Sequence, residues 1–227
     1  MIFKKINTDL NAFLERDPAA PNKFWVILLW PGFHAVMLYR VSHWFWQQKH
    51  LRWAGRILSA IAKFFTSVEI HPAAQIGAAF VIDHATGVVI GETAIIGDNV
   101  TLYHDVTLGG VSPSINSAAQ VGIKRHPTIL DNVIIGAGAA ILGDITIGEN
   151  VRIGANAVVT KNIPENVTVV GNPARIIGKC KKEAGEAAPN FQAYGMDPDG
   201  DPDVTMQEIA KIKERLEQLE TKLEQQK

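Results

Sequence analysis

Residues 128–159 read TILDNVIIGAGAAILGDITIGENVRIGANAVV. An aliphatic residue returns at every sixth position: Ile129, Ile135, Ile141, Ile147, Ile153 and Val159. A helix keeps one face apolar with a period near 3.6 and a strand with a period of 2, so six suits neither. A hexad that ends each time in a turn fits a triangular prism, one hexad to a face. Each aliphatic then points inward and stacks on the one a full coil away. Isoleucine suits this column because a β-branched side chain packs well on a pleated wall. Stacked isoleucines stabilise in proportion to the surface they bury, about 25 cal/mol per Å².

Internal repeats decide a fold before any other signal, and this one extends outward in both directions. Upstream run Ile70, Ile76 and Ile82, then, after a slip of two residues, Ile90, Ile96, Leu102 and Leu108. A longer excursion follows, and the register resumes at Ile123, giving fourteen positions with eleven Ile, two Leu and one Val. Glycine follows seven of them (Gly77, Gly91, Gly97, Gly109, Gly136, Gly148, Gly154). Glycine is expected there to supply the backbone conformation of a corner. Small or β-branched residues such as Ala74, Ala94, Val100, Val106, Val133, Val151 and Ala157 stand two positions before the aliphatic. Three interruptions stand out: Asp83-His84-Ala85-Thr86-Gly87, the excursion VSPSINSAAQVG at 111–122, and the exit after Val159. Function concentrates where a regular pattern breaks.

The flanks lack the hexad. Residues 1–67 form an expected N-terminal helical domain, with helices over 5–15, 33–49 and 51–66 and breaks at Asp17-Pro18 and Pro31-Gly32. The prism occupies 68–179. Residues 180–207 read as a linker, polar and rich in Ala, Gly, Pro and Asp. Its DPDGDPD stretch, 197–203, misses a calcium loop because Pro202 stands where that loop needs glycine. Residues 208–227 read as a coiled coil: Ile209, Ile212, Leu216, Leu219 and Leu223 alternate by three and four, and Glu208–Lys213 and Arg215–Glu220 pair opposite charges. Isoleucine at both core positions of the first heptad favours three strands.

Composition narrows the partners. With 22 basic and 23 acidic residues, there is no basic stripe for nucleic acid. The one cysteine, Cys180, has no metal-site spacing, excludes an internal disulfide and fits a reducing compartment. The start has no secretory h-region. The apolar stretch 24–46 is broken by Pro31-Gly32 and carries His34, Arg40 and His43, so it does not read as a membrane span. All five tryptophans lie in the first 53 residues and are expected to pack helices on each other or on a neighbouring subunit.

The polar residues that interrupt the prism are Glu69, His71, Asp83, His84, Glu92, His104, Asp105, Arg125 and His126. Ionisable groups beside apolar walls are candidates for shifted pKa values. His71 and His104 read mainly as structural histidines. His84 follows an acid at the slip, and His126 follows Arg125 where the chain re-enters the repeat.

The chain resembles the serine O-acetyltransferases of the hexapeptide-repeat acetyltransferase family, in their short form. The resemblance rests on RDPAAP (16–21), YRVSHWFW (39–46), EIHPAAQIG (69–77), DHATGVVIGET (83–93), VTLGG (106–110), KRHPTI (124–129), IGAGAAILG (135–143) and VVGNPARIIGK (169–179). It covers about residues 10–180. It implies a mainly β fold, a left-handed parallel β-helix between an N-terminal helical domain and a C-terminal helix, and transfer of the acetyl group of acetyl-CoA to the hydroxyl of L-serine, the first step toward cysteine.

Several residues match family positions. His84 matches the general base, which a serine hydroxyl needs near neutral pH. Glu69 matches the carboxylate that orients it, where other members carry Asp. Asp17 and Asp83 match positions that hold the amino acid, Arg125 matches the group suited to its carboxylate, and His126 matches a further active-site histidine. Glu92 belongs to the same motif set and is expected at the substrate. The backbone N–H of Gly110 is the candidate oxyanion donor. Coenzyme A is expected over positions matching Ala137 and Ala155, with Arg152 and Lys179 toward its phosphates. No cysteine or serine matches an acyl carrier, so transfer is expected to be direct, without a metal. Each site of the family uses two prisms, which implies a homotrimer; the helical domain is shorter than in members that join trimers into hexamers. The chain ends in Gln-Gln-Lys, whereas members that dock into cysteine synthase end in isoleucine. Three other readings stay open. One is acetyl transfer to a sugar or other hydroxyl. Another is a γ-class carbonic anhydrase, with His84, His104 and His126 converging on zinc across a subunit boundary. The last is a non-enzymatic trimeric scaffold.

Overall fold

A computed structural model of the chain describes residues 2–111, 114–179, 212–216 and 218. The linker 180–207, Cys180 and most of the coiled-coil segment lie outside the described residues. Ile212–Leu216 is helical, with Ile212 and Leu216 exposed. It belongs to a different compact unit from the rest.

From Glu69 onward two- and three-residue strands wind into a left-handed parallel β-helix with three flat faces. The first face stacks Ile70, Ile90, Leu108, Ile141 and Val159 in parallel register. The second stacks Ile76, Ile96, Ile129 and Ile147. The third stacks Ile82, Leu102, Ile135, Ile153 and Val169. Every hexad aliphatic on these faces is at most 5% exposed. The antiparallel pair Val167–Val170 and Arg175–Lys179 ends the third face.

Two expectations are corrected. Ile123 is not part of the column: it is 56% exposed and outside any strand, and the second face resumes at Ile129. The excursion therefore runs to the RHP motif. The seven hexad glycines do not supply the corner conformation either, since none has a positive φ. That role falls three residues after the inward aliphatic, on Ala79, Ala85, Asn99, Asp105, Asn132, Asn150 and Asn156. Asparagine tolerates the left-handed region. Asn99 donates to Asn132 (2.6 Å) and Asn150 to Asn166 (2.9 Å), a side-chain ladder along one edge. The hexad glycines are needed for closeness instead: a Cβ on Gly77 would run into the backbone of Gly97, and one on Gly148 into the backbone of Glu165.

The helical part has four helices: α1 (Ile2–Arg16), α2 (Lys23–Leu29), α3 (Pro31–Gln47) and α4 (Arg52–Thr66). The expected break falls at Trp30-Pro31, where α2 and α3 meet at 80°, and Pro31 opens α3 in its first turn, where its missing N–H has no partner to lose. Gly32 lets α3 touch the third face, since a Cβ there would fall against the Ile82 carbonyl. α2 lies outside the helices expected from the sequence; the Asn22 side chain caps it by accepting the Phe24 and Trp25 amides. Among the described residues no single helix is long and apolar enough to cross a membrane.

One buried ion pair joins helices to prism. Arg40 of α3 donates to both Asp9 oxygens of α1 (3.0 and 3.1 Å), to the Ile76 carbonyl (2.7 Å) and to that of Gly77. Asp9 in turn accepts the Phe80 amide (3.0 Å). Four of the five guanidinium N–H groups and both carboxylate oxygens are thus engaged, as burial of charge requires.

Candidate active site

The two extra residues of the slip widen the corner between the third and first faces. His84 (φ 60°) and Ala85 (φ 55°) both sit in the left-handed region, a conformation that costs energy in residues with a Cβ. The Thr86 amide folds back to the His84 carbonyl (2.7 Å), and Asp105 of the next coil hydrogen-bonds the Thr86 carbonyl (2.8 Å). The corner therefore holds the His84 side chain outward, 71% exposed, with Asp83 beside it (Nε2–Oδ2 3.8 Å). Burial raises the Asp83 carboxyl above its ordinary value; the His84 ring opposes that rise and the Asp17 carboxylate adds to it.

Asp17 reaches this corner from the end of α1. One of its oxygens accepts the Ala19 amide (2.8 Å), the other the Trp30 indole N–H (2.6 Å). Trp30 lies at the α2–α3 junction, so the junction whose Gly32 seats α3 on Ile82 also fixes Asp17. The tryptophan cluster was expected only to pack helices; this member also holds a site carboxylate.

His104 lies one coil above, its ring centroid 5.9 Å from that of His84 and nearly perpendicular. Higher on the same edge come Gly136-Ala137-Gly138 and Gly154-Ala155, tied coil to coil by the Gly138 amide on the His104 carbonyl and the Asn156 amide on the Ala137 carbonyl.

The remaining residues gather on another edge, between the first and second faces. Arg125 donates to Glu92 (2.8 Å), so Glu92 is placed as the support of the guanidinium. Thr93 organises the loop's return to the prism. Its hydroxyl accepts the amides of Arg125 (3.0 Å) and His126 (3.1 Å) and lies 2.8 Å from His126 Nδ1. The Thr93 amide donates to the same Nδ1 (3.2 Å), which keeps the proton of the neutral ring on Nε2. Burial, then Arg125 and Lys124, lower the His126 pKa. A Cβ on Gly91 would strike the His126 ring, so this glycine makes room for it. Gly110 lies against the Arg125 backbone. His71 nearby accepts the Ala73 amide (3.0 Å), and burial, with Arg56 beside it, brings its pKa down to about 4. Thr93 was missed in the sequence; its signal was its place in the GET motif, read there only for the acid.

Two expected residues make other contacts, and a third is described in its backbone alone. Glu69 is paired with Lys63 of α4, and no Glu69 oxygen lies within 4.0 Å of His84; the carboxylate beside His84 is Asp83. The Arg152 guanidinium donates to the Asn132 carbonyl (2.6 Å), on the third edge, away from Ala137 and Ala155. The Lys179 backbone pairs with Val167, and its side chain lies outside the described residues. Among the described residues no three His, Cys, Asp or Glu side chains converge as a metal site. His84 and His104 stand on one edge and His126 on another.

Residues 1–37 match the N-terminal domain model of serine acetyltransferases, and residues 126–161 match the bacterial transferase hexapeptide model of six repeats. A serine acetyltransferase of Mycobacterium tuberculosis is 53% identical over 177 residues, 78% of this chain and 74% of that protein. The soybean serine acetyltransferase complexed with serine is 45% identical with a TM-score of 0.72, covering 78% of this chain and 69% of that one. The serine acetyltransferase of Brucella abortus in complex with coenzyme A is 41% identical in sequence, also with a TM-score of 0.72, covering 78% and 68%. With a hexapeptide prism and relatives this similar over most of both lengths, the chain belongs to the serine acetyltransferase family.

Proposed function

We propose that the protein transfers the acetyl group of acetyl-CoA to the hydroxyl of L-serine, giving O-acetyl-L-serine and CoA, the first step of cysteine biosynthesis. The observation that carries this reading is the corner at residues 83–87, which holds a solvent-facing imidazole between an acid and an open strip of small residues. His84 takes the proton of the serine hydroxyl as its oxygen attacks the thioester carbon. The intermediate collapses, the C–S bond breaks, and the sulfur takes the proton back from His84. Asp83 and Asp17 offer negative charge for the serine ammonium, and Arg125 a fork for its carboxylate. The strip over Ala137 and Ala155 is the path for the pantetheine arm of acetyl-CoA.

The two groups of residues stand on different edges of one prism. A site that uses both takes the His84 edge of one copy and the Arg125 edge of another. Such a head-to-tail contact closes into a ring, which supports a homotrimer. A three-stranded coil through Ile212 and Leu216 would reinforce it, and the exposed Trp53, Ile57 and Phe64 of α4 supply apolar surface for a further contact between copies. A lone cysteine suits the reducing cytoplasm, where we place the reaction.

The test is thiol release from acetyl-CoA with L-serine, L-homoserine and sugars as acceptors. L-serine is expected to be preferred, and His84→Ala to lose activity while its oligomeric state stays unchanged. Preference for a sugar would overturn the substrate; full activity in His84→Ala would overturn the base.

A further inference from the structure

The turn that carries Asp17 is held from outside the prism. Trp30, the single residue between α2 and α3, donates its indole N–H to Asp17 Oδ2 (2.6 Å), and the Ala19 amide donates to Oδ1 (2.8 Å). Each oxygen of the carboxylate thus has one fixed donor, and each keeps acceptor capacity for a ligand. Trp30 is itself held on both sides. Its amide donates to the Val26 carbonyl (3.2 Å), and its carbonyl accepts the His34 amide (3.1 Å). The His34 ring closes the bend by donating from Nε2 to the Ile27 carbonyl (2.7 Å). Trp30 also packs against the core that contains Phe13, Phe33 and Val81. The indole N–H therefore has a fixed place, and a hydrogen bond to a charged acceptor is among the stronger kinds.

The charges at this corner give the contact a task. The Asp83 carboxyl is raised by burial and, against the opposing His84 ring, by the Asp17 charge, so the two acids repel each other. Pro18 and Ala19, which follow Asp17, are exposed. Without a clamp, a carboxylate on such a turn would swing toward water, and an ammonium at the corner would meet one charge rather than two. We propose that Trp30 is a positioning residue for the amino end of the substrate: its N–H holds Asp17 in place against this repulsion, so that both carboxylates meet the ammonium of L-serine. This rests on the acetyl-transfer reading above. The indole touches no reacting atom and moves no proton. Its hydrogen bond is made before serine arrives and persists through acetyl transfer, so it strengthens ground-state and transition-state binding alike. Uniform binding of that kind shows in KM and leaves kcat alone.

The test measures steady-state acetyl transfer by the wild type, Trp30→Phe, Asp17→Ala and the double variant. Phe keeps an aromatic ring in the packing site and lacks the N–H. Benzothienylalanine placed at position 30 alone keeps both fused rings and exchanges the N–H for sulfur, which tests the same bond should Phe disturb the fold. Loss of a hydrogen bond to a charged group costs about tenfold in affinity. We expect KM for serine to rise about tenfold in both single replacements of Trp30, with kcat and KM for acetyl-CoA within about twofold of wild type. On the Asp17→Ala background, Trp30→Phe should change KM for serine less than about twofold, because the group it positions is gone. A packing role alone would weaken both backgrounds equally. Unchanged KM for serine in the benzothienylalanine protein, an equal rise on both backgrounds, or a loss shared by acetyl-CoA overturns the assignment, as does Asp17→Ala with wild-type KM for serine. Wild-type protein inert toward L-serine sinks the acetyl-transfer reading and this one with it; active wild type with any of the other overturning results sinks only this one.

Discussion

Thr93→Val replaces the hydroxyl by a methyl of nearly the same shape, so its effect isolates three hydrogen bonds. The Thr93 oxygen accepts the amides of Arg125 and His126 at 3.0 and 3.1 Å and lies 2.8 Å from His126 Nδ1. In the variant two backbone donors lose their acceptor. Each costs about 1–3 kcal/mol when buried. Water reaches this half-buried turn in part, so the lower end applies, about 2 kcal/mol for both together. The cost is local, because Ile129 stays locked in the second face by its pairing with Ile96 and Ile147. Opening of residues 124–127 should therefore become about 30-fold more frequent, since 1.36 kcal/mol is a factor of ten. Amide hydrogen exchange is the assay: Arg125 and His126 should exchange about 30-fold faster, while the amides of Ile135 and Ile153 keep their rates. Because Arg125 meets the substrate carboxylate in the proposed reaction, KM for serine should rise with that for acetyl-CoA unchanged, and Thr93→Ser should restore both. Unchanged exchange at Arg125 and His126 would refute the reasoning, as would faster exchange spread over the whole prism.

Arg40→Met should be among the most damaging changes away from the active site. It strands the buried Asp9 carboxylate and two carbonyls, a loss of about 3–5 kcal/mol measurable by urea denaturation, and Asp9→Leu added to it should recover part of the loss. His71 gives a pH effect of definite sign. Its pKa is near 4 when folded against about 6.5 when unfolded, so as the pH falls through that window the unfolded chain binds a proton the folded one refuses, and stability falls. His71→Asn, which keeps an acceptor near Nδ1, should make the decline of the thermal midpoint between pH 6.5 and 4 shallower. Asp83, raised by burial, must be ionised to meet an ammonium. The acid limb of kcat/KM for serine should thus lie above the ordinary carboxylate range, and Asp83→Asn should remove that limb along with most of the activity.

The repeat was legible residue by residue because burial on every coil imposes the same demand on the same position. Thirteen of the fourteen hexad positions line the core, and the one that does not, Ile123, fails for a reason the period cannot reveal. A loop can carry an aliphatic in phase by accident, and only the strand partners of Ile129 show where the face resumes. The glycines were noticed for the right positions and the wrong cause. Backbone torsion and inter-coil distance both select glycine, and a sequence does not distinguish them.

The chemistry divided in the same way. The motifs DHATG, GET and RHP named His84, Asp83, Glu92, Arg125 and His126, since chemical role depends on residue type and type is written in the chain. Their grouping was not written there. Residues 83 and 92 are nine apart, yet one face of the prism separates them, whereas Thr93 and Arg125, 32 apart, touch. Glu69 shows the limit most plainly: its position matches the family's orienting carboxylate, and the neighbouring helix supplies Lys63 to pair with it instead. By itself, then, the sequence determined the prism, its period and the candidates for the reacting groups, because those follow from local side-chain chemistry along the chain. The tertiary structure alone decided which groups share an edge and that Glu69 pairs with Lys63, because those depend on distances between elements that no spacing along the chain encodes.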